Sequence, residues 1–250
     1  MPYFSGQGRV YIANRDQSGN PLAMRWLGNV PELRVSLKID TIEHKESYSG
    51  QRLTDLQLIR GKDGEFNATV EDFSVKNLEL TLYGQTTSVT SGNVTAETLP
   101  AGAVAGDIYL LANQFVSSVV VKDSNATPAT LTEGTHYKVH AEQGAIEFIN
   151  VGTFTQPFKV DYAYGAAKRI AMFKSGQPEV WLRFDGLNTA DNNARVIVDL
   201  YRVQLSPAQD FALVGDDVQK FALSGRVLAD VTKSDTGPLG LFGRVIQAGA

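Results

Sequence analysis

Between Leu33 and Val70 the apolar residues sit at alternate positions in two runs, separated by a polar stretch, HKESYSGQRLTD, from His44 to Asp55. A period of two sends successive side chains to opposite faces, so each run reads as a strand with one buried and one wet face. In the first run Leu33, Val35, Leu37 and Ile39 share odd parity, opposed by Arg34, Ser36, Lys38 and Asp40. In the second, Leu56, Leu58, Phe66, Ala68 and Val70 are even, opposed by Gln57, Glu65, Asn67, Thr69 and Glu71. The excursion between the runs is too long for a tight hairpin turn and too organised for a slack tether.

The Asp63-Gly64 pair inside the second run is a favoured sequence for a type I′ turn. A turn there would pair Lys62 with Glu65, Leu58 with Thr69 and Leu56 with Glu71, which leaves both leucines on the polar face. One long strand from about Leu56 to Val70, bulged near Gly61 to Gly64, keeps the apolar side chains on one side and is the preferred reading. Two long amphipathic antiparallel strands follow, with exposed edges suited to joining copies.

Strand signals dominate elsewhere too, as in GRVYIA, FVSSVVVKD, FKVDYAY, EVWLRFDG, ARVIVDLYRVQL and FALSGRVLADVT. This is an all-β plan. One helix is expected in DFSVKNLELTLYG, where Ser74 can cap, Val75, Leu78 and Leu82 share a face and Gly84 stops it. After Pro207 the segment SPAQDFALVG reads either as a second helical turn or as an irregular loop. Gln85 to Ala103 lacks periodicity and reads as a linker. Beyond it the chain has strands of its own, including a hairpin around Gln143 and Gly144. The organisation expected is a core built from both ends of the chain, residues 1–90 and 166–250, with a small β-sandwich module inserted at 91–165.

The 250 residues carry 23 Lys and Arg against 27 Asp and Glu, a formal charge of -4. A protein that grips nucleic acid by neutralising phosphates needs the opposite balance. With no Cys, disulfides and thiolate metal sites are excluded. The opening residues MPYFSGQGRVYIANRD lack the pattern of a secretory signal, and no apolar run approaches the roughly 20 residues of a spanning helix. A cytosolic product without membrane insertion is expected.

Catalytic and ligand-binding patterns are sparse. His136 and His140 have a zinc-like spacing, but in a strand i and i+4 lie about 13 Å apart and cannot share an ion. No GxxxxGK or GxSxG is present, and GQG at Gly6 to Gly8 lacks the third glycine of a dinucleotide fingerprint. Asp185 with Asp191 could hold calcium, but the loop lacks regular ligand spacing and a turn reading is preferred. Glu71-Asp72 and Asp216-Asp217 are adjacent in sequence and would point to opposite faces of a strand, so neither is an acid–base couple. No enzyme, no cofactor and no metal is expected.

From Gly28 to Gly84 the order of a GNV turn, a long strand ending in Glu46-Ser47, a Ser-Gly loop, a second long strand, Asp72-Phe73 and a short helix ending in glycine resembles the major tail tube protein of long-tailed double-stranded DNA bacteriophages. The C-terminal RVIVDLYRVQLSPAQDFALVGDDVQKFALSGRVLAD is similar to that family's closing strands. LTEGTHYKVHAEQGAIEFI resembles the small domain that many such proteins carry, with His136 where the family pattern has Asp. The strength of the likeness lies in order and spacing over nearly the whole chain.

The resemblance implies a mainly β fold: a tail-tube-type sandwich or barrel core with one or two short helices and an inserted immunoglobulin-like β-sandwich. It implies homohexameric rings that stack into a tail tube, the conduit for DNA ejection. The partners implied are the chain itself, a tape measure protein, and tail terminator and baseplate or tail tip proteins, with DNA in transient non-specific passage. The location implied is the virion tail, assembled in the host cytoplasm. About 24 strands at about 4.8 Å spacing and about 40° tilt would give a backbone diameter of roughly 48 Å, wide enough for duplex DNA.

A conduit should not retain phosphates, so the wet strand face, with Ser36, Lys38, Asp40, Asn67, Thr69 and Glu71, supplies candidates for the lumen. The competing reading is that these residues face solvent in a monomer. Glu46, Ser47, Tyr48, Ser49, Gly50, Gln51 and Arg52 are candidates for a contact with the next ring, against a plain solvated loop. Two other functions stay open: a bacterial secretion tube subunit, which would lack the insert, and a surface-binding module using Tyr109 or Tyr137 on a glycan.

Overall fold

The computed structural model describes residues 3–234 and 236–247. In chain order the elements are β1 (Gly6–Asn14), β2 (Arg25–Trp26), β3 (Glu32–Lys45), β4 (Thr54–Val70), α1 (Val75–Thr81), β5 (Gln85–Val89), β6 (Gly92–Thr98), β7 (Ile108–Leu110) and β8 (Val116–Lys122). They continue with β9 (Tyr137–His140), β10 (Ala145–Phe148), β11 (Lys159–Tyr164), β12 (Ala167–Ala171), β13 (Glu179–Asn188), β14 (Ala194–Leu205), β15 (Phe221–Val227) and β16 (Gly243–Gln247).

The chain divides into two compact units, 1–85 with 170–250, and 86–169, beside expected boundaries at 91 and 165. The inserted unit contains two three-stranded antiparallel sheets, β7-β10-β9 and β6-β11-β8. Leu131, Ile146, Phe148, Phe158 and Val160 fill its core. Gln85 to Ala103, expected as a linker, contains β5 and β6, because Thr and Val satisfy strand pairing even where no alternation marks a face.

The larger unit is one antiparallel sheet in the order β2-β1-β13-β14-β15-β4-β3, with β16 added on β14. Its core gathers Val10, Ile12, Phe66, Ala68, Val70, Leu182, Val203, Leu205 and Leu223. The edge of β14 is shared: Val203 to Leu205 pair with β15, whereas Val196 to Leu200 pair with β16. Both junctions need glycine. A Cβ on Gly225 would lie 2.4 Å from the Gln204 carbonyl oxygen, and one on Gly243 would lie 2.3 Å from that of Asp199.

The fully buried Asp199 ties β16 down. Arg183 donates to it through Nε at 2.6 Å and Nη2 at 2.9 Å, and Arg244 of β16 through Nε at 2.9 Å. Burial alone would raise the pKa of this carboxyl, but the hydrogen bonds and charges of the two arginines outweigh it and leave the value below the ordinary one.

The helix α1 follows Ser74, which adopts the extended cap conformation although its side chain makes no capping hydrogen bond. It is the single helix among the described residues. Residues 206–220 form no second helical turn. Ala208 N–H donates to the Thr81 carbonyl at 2.8 Å and Phe211 packs on Phe73, contacts that hold this segment as a loop.

Candidate functional site

The strand β4 runs unbroken through Asp63 and Gly64, as preferred from the sequence, and pairs along its length with β3. On its other side it pairs with β15 only from Gly64 to Val70. From Lys38 and Asp63 outward, β3 and β4 therefore form a two-stranded arm that pairs with no other strand among the described residues. Eight residues of β3, Lys38 to Lys45, give it a length of about 27 Å at about 3.4 Å per residue.

Register assigns the faces. Leu33, Val35 and Leu37 pair with Ala68, Phe66 and Gly64 on the core side. Glu32, Arg34, Ser36, Lys38 and Asp40 pair with Thr69, Asn67, Glu65, Asp63 and Gly61 on the other. Five of the six proposed lumen residues, Ser36, Lys38, Asp40, Asn67 and Thr69, thus share this second face. Glu71 lies just beyond the strand, where Lys220 Nζ at 3.0 Å and then Asn29 Nδ2 hold its carboxyl below the ordinary range. Across β3, β4 and the adjoining β15 this face carries Arg34, Lys38 and Arg226 among Glu32, Asp40, Asp63 and Glu65, and Arg60 reaches Asp40 at 3.8 Å, so the face's charges are close to balanced. Lys38 meets Glu65 at 2.9 Å.

The expectation that Leu56 and Leu58 share the face of Phe66, Ala68 and Val70 is wrong. Asp40 pairs with Gly61 but Thr41 pairs with Ile59, so Arg60 is an extra, unpaired residue. A bulge reverses parity beyond it. Leu58 faces Ile42 and Leu56 faces His44, on the side of Asp40 and Glu71, while Ile59 crosses to the side of Ile39. A hydrogen bond from Gln57 Nε2 to Thr41 Oγ1 at 3.3 Å agrees with this assignment. The bulge lies at Arg60 and not within Gly61 to Gly64.

The sign that sequence reading passed over is present in both strands. Leu58 and Ile59 are consecutive apolar residues in β4, and in β3 the apolar positions change from odd, through Ile39, to even, at Ile42. The apolar stripe crosses the ribbon at one level in both strands. Leu37, Ile39, Ile42, Leu56, Leu58 and Ile59 are all exposed, Leu37 by 76%.

At the tip, Glu46 departs from its expected role as a ring contact. Its side chain is turned into its own loop and the residue is only 4% exposed. The carboxylate accepts from the Ser49 hydroxyl, from Tyr48 N–H at 2.8 Å, Ser49 N–H at 2.9 Å and Leu53 N–H at 3.2 Å. These bonds, led by the Ser49 hydroxyl, lower its pKa to about 2. Glu46 N–H closes the loop on the Leu53 carbonyl at 2.9 Å. Ser47, Tyr48, Ser49, Gly50, Gln51 and Arg52 remain exposed, with Tyr48 85% exposed at the apex. Gly50 adopts φ +80°, a conformation that favours glycine, with nothing around its α-carbon.

In the inserted unit Tyr137 is buried, donating its hydroxyl to the Val119 carbonyl at 3.2 Å, and Tyr109 packs edge-on against Phe148. Neither aromatic is presented for a glycan. His136 Nδ1 accepts from Thr132 N–H at 2.9 Å while His140 pairs with Glu147 at 2.8 Å. Asp185 pairs with Arg195 at 3.0 Å. No group of three or more metal-ligating side chains occurs among the described residues.

The chain belongs to the family described as protein of unknown function UCP028589. The family model matches residues 3–246, so the sheet, the arm and the inserted unit all fall within the UCP028589 pattern. No curated protein matches the chain.

Proposed function

We propose that this member of the UCP028589 family is a structural virion protein, the subunit of homohexameric rings that stack into the tail tube of a long-tailed bacteriophage. The observation that carries the reading is the arm: a long, unsupported hairpin with exposed apolar side chains, on a body whose adjoining strand face is polar and close to charge balance. An isolated two-stranded ribbon is marginal in water, so such an arm suits a subunit that completes itself against copies. A wall whose cations, Arg34, Lys38 and Arg226, are set among four carboxylates suits a bore through which DNA slides without being held.

In this reading Ser36, Lys38, Asp40, Asn67 and Thr69 line the bore. Glu71 acts as a brace at its margin. The exposed part of the tip, Ser47 to Arg52, meets the next ring. The subunit has no catalytic duty and no cofactor. Its partners are its own copies, a tape measure protein inside the growing tube, and terminator and baseplate or tip proteins at the ends. Assembly takes place in the host cytoplasm and the product resides in the virion tail. Negative-stain microscopy of concentrated protein tests this: hollow rings or filaments are expected, and monodisperse subunits at every concentration would overturn it.

A further inference from the structure

The geometry points to an arm covered on both sides, by two different copies of the chain, because the register leaves apolar patches on opposite faces of one ribbon. This deepens the tube reading and rests on it. Leu37, Ile39 and Ile59 form a patch on the core-side face; Ile42, Leu56 and Leu58 form a second patch, further out, on the face that nearer the body carries Ser36, Lys38 and Asp40.

Three observations select a second copy as the occupant. Together with Tyr48 and Leu53 at the tip, the six patch residues are between 48% and 85% exposed. At roughly 190 Å² for a large residue, the core-side patch exposes on the order of 370 Å² and the outer patch on the order of 300 Å², the size at which an apolar patch on a monomer is often functional. Residues 38–63 carry five Lys and Arg and five Asp and Glu, so the arm is neutral on a chain of charge -4 and copies meet there without repulsion. The free edge of β3 lies beside both patches and continues the sheet of the body. The patches face opposite ways, so one copy cannot lie on both. A head-to-tail assembly gives every subunit two neighbours.

The native chain has no Cys, so single thiols report cleanly. Leu58→Cys and Ile59→Cys place a thiol on opposite faces of adjacent residues. Maleimide labelling is expected to be fast for both in free subunits and slowed at least tenfold for both in filaments. Filaments in which only one is protected would overturn the two-sided arm and leave the tube reading standing. If concentrated protein forms no filaments and both thiols stay reactive, both readings fall.

Discussion

The two halves of β4 have the same kind of sequence and opposite fates. From Gly64 to Val70 the strand lies between β3 and β15, and Phe66, Ala68 and Val70 are buried; from Thr54 to Arg60 it pairs with β3 alone, and Leu56, Leu58 and Ile59 face outward. Alternation states which side chains travel together along a strand. It does not state whether anything will cover them, because cover comes from a third element, β15, encoded some 150 residues later. An apolar side chain is a stabilising residue in one half and an unsatisfied surface in the other.

Substitutions can break this contrast. The largest effect is expected for Phe66→Ala, which should cost about 3–5 kcal/mol in urea unfolding of the subunit, through lost burial and the cavity left behind. Asp199→Asn should follow closely, at about 3 kcal/mol, because two arginines would lose their buried counter-charge. The native Asp199 has a folded pKa below its unfolded one. Its contribution is therefore complete above the unfolded value of about 4 and disappears as pH falls through the depressed folded value, so the variant should show a shallower loss of stability on acidification.

Glu46→Gln should leave the unfolding midpoint in place and speed amide exchange at Tyr48, Ser49 and Leu53. In the native chain the order of the loop should persist as pH falls, until the carboxyl titrates near its pKa of about 2. Smallest of all, Leu58→Ala should change the stability of the free subunit by less than about 0.5 kcal/mol while reducing filament yield. A cost for Leu58→Ala as large as that for Phe66→Ala would erase the contrast.

Much of this was legible in the chain. The parity of Leu33 to Ile39 and of Phe66 to Val70 gave the inner part of both long strands, whereas the argument against a reversal at Asp63 relied on Leu56 and Leu58 sharing the core face, which the register contradicts even though the strand does run on. The spacing of Val75, Leu78 and Leu82 marked the place of α1, but the residues the helix buries are Asn77 and Thr81 and it ends at Thr81, short of Gly84. The insertion was visible as a second set of strand signals between two parts of one sheet. The bulge was read into the glycine-rich stretch Gly61 to Gly64, whereas an arginine carries it, and a single unpaired residue has no composition of its own. Glu46 looked like one more exposed charge in a polar stretch, because its four donors come from backbone and hydroxyl groups that charge patterning does not reveal. The tie between Asp199 and Arg244 joins residues 45 positions apart and leaves no local trace.

The carboxylate that knots the hairpin's tip bears on the kinetics of encounter. A polar loop of eight residues would ordinarily sample many shapes, and most collisions would find it in an unproductive one. With the Tyr48 and Ser49 amides held on Glu46, the ordering cost of the loop backbone falls in the free subunit, so under the proposed assembly the tip would meet the next ring already shaped, at a rate governed by diffusion and orientation.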